Sequence, residues 1–284
     1  MFEPGRPLAT AKQVQQVIMQ AFADRRAFSA IRCGDGEAVT LGYPEFISER
    51  RFRWWMTNFF GTNVSDLGSY VVLQKHLADA IATSDVVGTF RERVADVAAA
   101  HSLMSELGSK DRLSDDEKKE LSNIEWRILN NIIEPLISDK HTLTSTNMHI
   151  RLEEAGIIAQ LIGSSKRVNI ITGNMLDERL ISKFPNVKFT FYSVPTEYKF
   201  EKARDNWSSR EPHFPTVFNS ILRKIQGGEF EGLTLVGAGP CGKVYCANVK
   251  KAGGFAIDIG SIMDLWAGRN TRSFIAQTQA KTLS

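Results

Sequence analysis

Leu233-Thr-Leu-Val-Gly-Ala-Gly-Pro-Cys-Gly242 decides the class of this chain. A short apolar run, residues 233–236, reads as a strand. It breaks into a glycine turn, and residues 242–251 read as a helix. Phe255-Ala-Ile-Asp-Ile259 then reads as the next strand. Upstream the same alternation continues. Arg167-Val-Asn-Ile-Ile-Thr172 is a strand, 176–184 a helix and 187–192 a strand, and a further helix starts at Pro215 and runs to Gly227. Strands alternating with helices predict an α/β fold, with a Rossmann-like, mainly parallel sheet flanked by helices.

The N-terminal half is less regular. Residues 11–25 carry Val14, Val17, Ile18, Ala21 and Phe22 on one helical face, and Phe28-Ser-Ala-Ile-Arg-Cys33 reads as a strand. Helices are expected over 48–60 and 70–82, with a strand over 85–90. A β-prone run covers 141–146, and one helix covers 147–162. Residues 92–107 and 114–137 read as a helix pair, the second opened by the capping box Ser114-Asp-Asp-Glu117. The region from about 92 to 137 is therefore expected to be a helical insertion in a single domain spanning 1–284. No repeat or low-complexity tract interrupts it.

Composition narrows the function classes. The chain has 35 Lys and Arg against 32 Asp and Glu, a net charge of +3 that is too small to argue nucleic-acid binding. No apolar run approaches the roughly 18 residues of a membrane span. The first 20 residues hold no apolar signal core. The expected location is cytoplasmic, with homo-oligomer formation or peripheral membrane association left open. Three cysteines, Cys33, Cys241 and Cys246, suit a reducing compartment and show no zinc spacing.

Five motifs are candidates for chemistry. In Arg32-Cys-Gly-Asp-Gly-Glu37, an extended backbone would aim Asp35 and Glu37 the same way. Gly34 and Gly36 leave room for a ligand, and two hard oxygen ligands suit Mn²⁺ or Mg²⁺ completed by water and phosphates. The bland alternative is a solvated acidic turn. Gly237, Gly239 and Gly242 spell GxGxxG between strand and helix, with Asp258 about 20 residues on, where a dinucleotide fold holds its ribose acid. Too little chain follows Asp258 for the rest of such a fold. The turn reads equally as a generic anion site at a helix N-terminus or as tight packing. Asp258, ending an apolar strand, is the candidate general base or acceptor-orienting carboxylate, against a loop-capping role. Asp264 and Trp266 could line the same crevice. Residues 195–214 are polar, with Tyr198, Lys199, Arg204, Arg210 and His213 as a candidate lid over phosphates and sugar, against a disordered loop in which His213 serves only packing. Gly173 and Asn174, in Thr172-Gly-Asn-Met175, lie at the same expected sheet edge.

Arg32-Cys-Gly-Asp-Gly-Glu37 together with the GAGP turn and Ala256-Ile-Asp-Ile-Gly-Ser261 resembles the GT-D-fold glycosyltransferases. The resemblance covers both ends of the chain, while 92–137 matches no part of it. It implies a GT-D-like enzyme moving a sugar from a nucleotide-sugar donor, a UDP-sugar, to a glycan or glycoconjugate acceptor. Asp35 and Glu37 would take the DxE metal role. Arg32, Gly34, Gly36, Gly173, Asn174, Gly237 and Gly239 are the expected donor contacts. The competing readings are an NAD- or FAD-dependent oxidoreductase using the glycine turn, and a non-catalytic nucleotide- or glycan-binding domain.

Overall fold

The apolar runs pair with one another in parallel and leave their polar ends on a common edge. The structure is a computed structural model and describes residues 2–60, 67–110, 112–197, 211–269, 278 and 280–283. Its strands are β1 (Phe2–Pro4), β2 (Phe28–Arg32), β3 (Val86–Thr89), β4 (Glu92–Val94), β5 (Thr142–Ser145), β6 (Arg167–Thr172), β7 (Lys188–Ser193), β8 (Leu233–Gly237) and β9 (Phe255–Asp258). Seven form one sheet in the order β5-β3-β2-β9-β8-β6-β7, with every neighbour parallel. This is the α/β class expected from the alternation.

The central strands are apolar on both faces because both faces are covered. On one side α2 (Asp35–Gly42), α3 (Glu49–Phe60), α4 (Leu67–Thr83), α5 (Val97–Ser109) and α6 (Asp115–Ile133) contribute to the core. The later helices α10 (Phe218–Gln226) and α11 (Gly239–Lys251) join them, over Ile31, Val87, Ile171 and Val236. The other side packs α1 (Ala11–Ala23), α7 (Met148–Glu154), α8 (Ile157–Gly163), α9 (Asp177–Lys183) and α12 (Ile262–Trp266) onto Phe28, Ala30, Ile170, Leu235 and Ile257. Alternate strand residues thus serve opposite cores, the period-2 rule of a pleated strand. Phe28 is fully buried and stacked on Phe255 at 4.8 Å. Its truncation to Ala would cost about 3–5 kcal/mol.

Several elements differ from expectation. Residues 92–94 are not helical, because they pair antiparallel with Phe2–Pro4. The helix begins after Asp96, whose side chain accepts from the Ala99 N–H at 2.9 Å. Nor does 92–137 build a separate core: Ile124, Ile128, Leu129 and Ile133 of α6 join the same cluster as α2 and α4. The single helix expected over 147–162 is broken by Gly156, which takes φ +72°, a left-handed turn that glycine adopts without steric cost. The helix expected from Pro215 starts at Phe218, after a wide turn over His213–Val217. Among the described residues no helix is long and apolar enough to cross a membrane.

Candidate functional site

Parallel strands deliver their following turns to one edge, and here those turns enclose a cleft of about 380 Å³. Its walls include Arg32, Gly34, Asp35, Gly36 and Glu37 after β2, and Thr146 and Asn147 after β5. Gly173 and Asn174 follow β6, Pro195 to Glu197 follow β7, Gly237 and Gly239 border β8, and Gly260, Ser261 and Asp264 follow β9. Every described donor-contact residue expected from the sequence therefore meets at this cleft.

The geometry around Asp35 and Glu37 differs from the extended reading. Asp35 opens α2, so the two residues sit in a helical turn, about 200° apart around the axis. Asp35 stays half-buried on the cleft wall, with Oδ1 accepting from the Gly36 N–H at 2.9 Å. Glu37 turns back. Its Oε2 accepts from the Gly34 N–H at 2.7 Å, and its Oε1 lies 3.1 Å from Lys243 Nζ. A Cβ on Gly36 would stand 2.7 Å from the Phe59 ring, so only glycine allows this approach.

Lys243, on α11, is the centre of the floor and was not singled out from the sequence. It is only 4% exposed, and its Nζ lies 3.1 Å from both Glu37 Oε1 and Asp258 Oδ2. Burial opposes its charge, but Asp258 and Glu37 outweigh that and hold its pKa above the ordinary lysine value, while Arg32 works against them. The available signal was a lone lysine inside the otherwise apolar run Cys241-Gly-Lys-Val-Tyr-Cys246. Arg32 Nε sits 3.5 Å from the same Asp258 Oδ2. Gly260 has φ +44°, and a Cβ there would fall 2.0 Å from Arg32 Nη2, so the guanidinium passes over a residue that has to be glycine. His149, fully buried on α7, was also missed; its Nε2 is 3.4 Å from Arg32 Nη1 and 3.2 Å from Ser261 Oγ.

Asp258 itself is 1% exposed and lies beneath the cleft rather than in its wall. It faces Lys243 and Arg32, not open solvent, so it is placed to hold two cations rather than to touch an acceptor. The same pairing withdraws it from a cofactor ribose. His213 borders the cleft but is no exposed lid residue. It is buried, its Nε2 is 3.0 Å from the Tyr245 hydroxyl, and burial pushes its pKa down to about 3. Tyr198, Lys199, Arg204 and Arg210 lie outside the described residues. Asp264 lines the cleft and accepts from Asn174 Nδ2 at 2.9 Å, while Trp266 is buried and donates to Glu153. All three cysteines are buried thiols, each with its pKa raised by that burial.

For a divalent ion, Asp35 offers the cleft an oxygen that the Gly36 N–H does not use. Glu37 brings none that is unengaged. Among the described residues no group of three His, Cys, Asp or Glu side chains converges. That donor set fits an ion held by one carboxylate together with water and substrate phosphates, the usual manner of Mg²⁺. It does not fit joint ligation by Asp35 and Glu37 as they stand.

A parallel sheet with a glycine-rich cleft at its carboxyl edge, an acidic turn after its second strand and cations in the floor defines an α/β protein with its candidate site where such sheets bind ligands. The sequence matches the family model of the GT-D fold-like domain over residues 9–206, and the chain belongs to that family. Two of the solved structures that match are these. One is described as a new glycosyltransferase (DUF1792) from Streptococcus sanguinis; it is 14% identical, covers 96% of this chain and 89% of its own, and gives a TM-score of 0.50. Another is described as the highly conserved domain of unknown function 1792 with a distinct glycosyltransferase fold, at 14% identity, 98% and 90% coverage and a TM-score of 0.49. At such identity the likeness to the first shows a shared fold. No curated protein matches the sequence significantly.

Proposed function

We propose that the protein is a glycosyltransferase that takes a nucleotide-sugar, a UDP-sugar, as donor and a glycan or glycoconjugate as acceptor. The observation that carries this is the cleft floor, where Arg32 and Lys243 line the same wall as the glycine turn 237–239 at the start of α11. Two cations beside a helix N-terminus suit a diphosphate. Pro240 supplies no N–H in that turn, so the cations carry more of the anion's recognition than the backbone does.

In this reading Arg32 and Lys243 bind and orient the donor phosphates. Glu37 and Asp258 are positioning residues that keep Lys243 charged where burial alone would discharge it. Asp35 would hold Mn²⁺ or Mg²⁺ together with the donor phosphates. When bound, the ion supplies Lewis-acid stabilisation of the departing diphosphate. The buried thiols take no part, since a protonated thiol in an apolar setting is a poor nucleophile.

The test is calorimetric titration with UDP and UDP-hexoses, with and without Mn²⁺, followed by assay of UDP release. UDP binding strengthened by Mn²⁺ in the native protein, with the Mn²⁺-dependent part lost in Asp35→Asn, is the expected result. NADH or FAD binding in place of UDP would overturn the reading.

A further inference from the structure

We propose that the β3–β5 end of the cleft is a sugar-ring subsite built on Trp126 and Phe90, and that it receives the acceptor hexopyranose. The inference rests on the glycosyltransferase reading and adds to it a place for the second substrate. Sheet order separates the two ends of the cleft. Phe90 follows β3, and Thr146 and Asn147 follow β5, the edge strand beside it. The glycine turns follow β8 and β6, on the far side of β2 and β9.

The two ends differ in chemistry. On the β6–β7 side, Asn174 Oδ1 and Thr196 Oγ1 are buried in the cleft wall without a hydrogen-bond partner among the described residues. Buried polar atoms normally find partners, and two orphans beside a cleft suit a polar ring edge such as a nucleobase. The diphosphate belongs between, over Arg32 and Lys243. That leaves the β3–β5 end for a ligand of another kind. There Phe90, Trp126, Thr146 and Asn147 bring aromatic surface and neutral polar groups, and the charge at their border is Arg32, whose Nη1 is 3.5 Å from the Thr146 carbonyl. This combination recognises a pyranose. The ring's C–H groups carry slight positive charge and lie on the negative aromatic face, while hydroxyls bond to amide and hydroxyl groups.

The platform is rigid. Phe90 and Trp126 are stacked with 1° between their planes and 5.7 Å between centroids, and Trp126 remains 37% exposed. Asn130, one turn along α6, donates to the Phe90 carbonyl at 2.8 Å. Residues on either side of Trp126 are clamped: Glu125 accepts both arms of Arg51 at 2.6 and 2.7 Å, and Arg127 Nε reaches Glu92 at 2.6 Å. A ring held this way loses little freedom on binding. Asn147 precedes α7 without using its side chain as a cap, and is exposed. The expected helical insertion thereby acquires a role as the acceptor wall.

Saturation-transfer NMR on the full chain, saturated with UDP, tests this with methyl β-D-glucopyranoside and methyl β-D-galactopyranoside as probes. The native protein should transfer saturation to the ring protons of at least one. Trp126→Ala should weaken that hexoside roughly tenfold, Trp126→Phe should retain most of it, and calorimetric UDP affinity should stay within about twofold in both. Asn147→Ala should weaken the hexoside alone. No hexoside signal in the native protein, or an undiminished signal in Trp126→Ala, overturns the proposal. So does an equal loss of UDP affinity, which would make the aromatic pair a nucleobase platform. If the native protein binds the hexoside through Trp126 but binds neither UDP nor UDP-hexoses, the donor reading fails and the ring subsite stands.

Discussion

Two of the buried carboxylate sites among the described residues, at Glu153 and in the cleft floor, are resolved in opposite ways. Glu153, on α7, is fully buried and fully partnered: Oε1 accepts from Trp266 Nε1 at 3.1 Å and from the Thr282 N–H at 2.9 Å, and Oε2 accepts from the Thr282 hydroxyl at 2.5 Å. Its partners are a neutral indole and the C-terminal chain, so it ties residues 266 and 282 to α7. The cleft floor instead sets two carboxylates, Glu37 and Asp258, against two cations, and leaves Asp258 Oδ1 with no hydrogen-bond donor among the described residues. A saturated cluster acts as a clasp. A cluster whose cations, Arg32 and Lys243, border a cavity is suited to bind an anion, because a low-dielectric wall strengthens each charge that faces it.

The largest effect should come from removing the shared cation. Lys243→Met takes the lysine charge from buried Glu37 and leaves buried Asp258 with Arg32 alone, and should cost about 3–5 kcal/mol of stability in urea unfolding. Adding Glu37→Gln should recover part of the loss. A single variant as stable as the native protein would mean that the floor is not held by charge.

Next comes Asp35→Asn. It removes a half-buried carboxylate that faces the cleft, and should lower kcat/KM for UDP-hexose turnover about 100-fold, or about 2.7 kcal/mol. Stability should move by no more than about 0.5 kcal/mol, as for surface changes. A large loss of stability with intact turnover would make Asp35 a structural cap.

Glu153→Gln tests the clasp. It should cost about 1–3 kcal/mol, because one amide cannot accept from all three donors, and kcat should not change. A fall in kcat at unchanged stability would erase the distinction between the clusters.

A further effect is in pH dependence. His213 keeps its proton off until about pH 3 in the folded state, against 6.5 for an ordinary histidine. Between these values the unfolded chain binds the extra proton, so this contribution to stability is complete above pH 6.5 and is lost as pH falls toward 3. His213→Phe should flatten that slope in urea midpoints measured from pH 7 to 4. An unchanged slope would show that His213 does not titrate on unfolding.

The sequence by itself determined the parallel α/β class, because short, mostly apolar runs such as 168–171 and 233–236 alternate with longer helical stretches. It also marked the turns that line the cleft, since glycine before a helix and acid after a strand are local signals. Local signals stopped at the direction of side chains. Whether Asp35 and Glu37 point together depends on the backbone being extended or helical, and the same six residues are compatible with both. That choice falls to contacts far along the chain: Phe59 against Gly36, and Lys243 drawing Glu37 inward. Asp258 illustrates the same limit. Its place at a strand end was legible, but its burial under Arg32 and Lys243 arises from β9 pairing between β2 and β8, strands over 200 residues apart in sequence. Trp126 gave no signal of its own, because one aromatic on an amphipathic helix reads as core. Only the docking of α6 beside β3 puts it at the cleft, and side-chain partners that distant are fixed by packing, not by neighbours in the sequence.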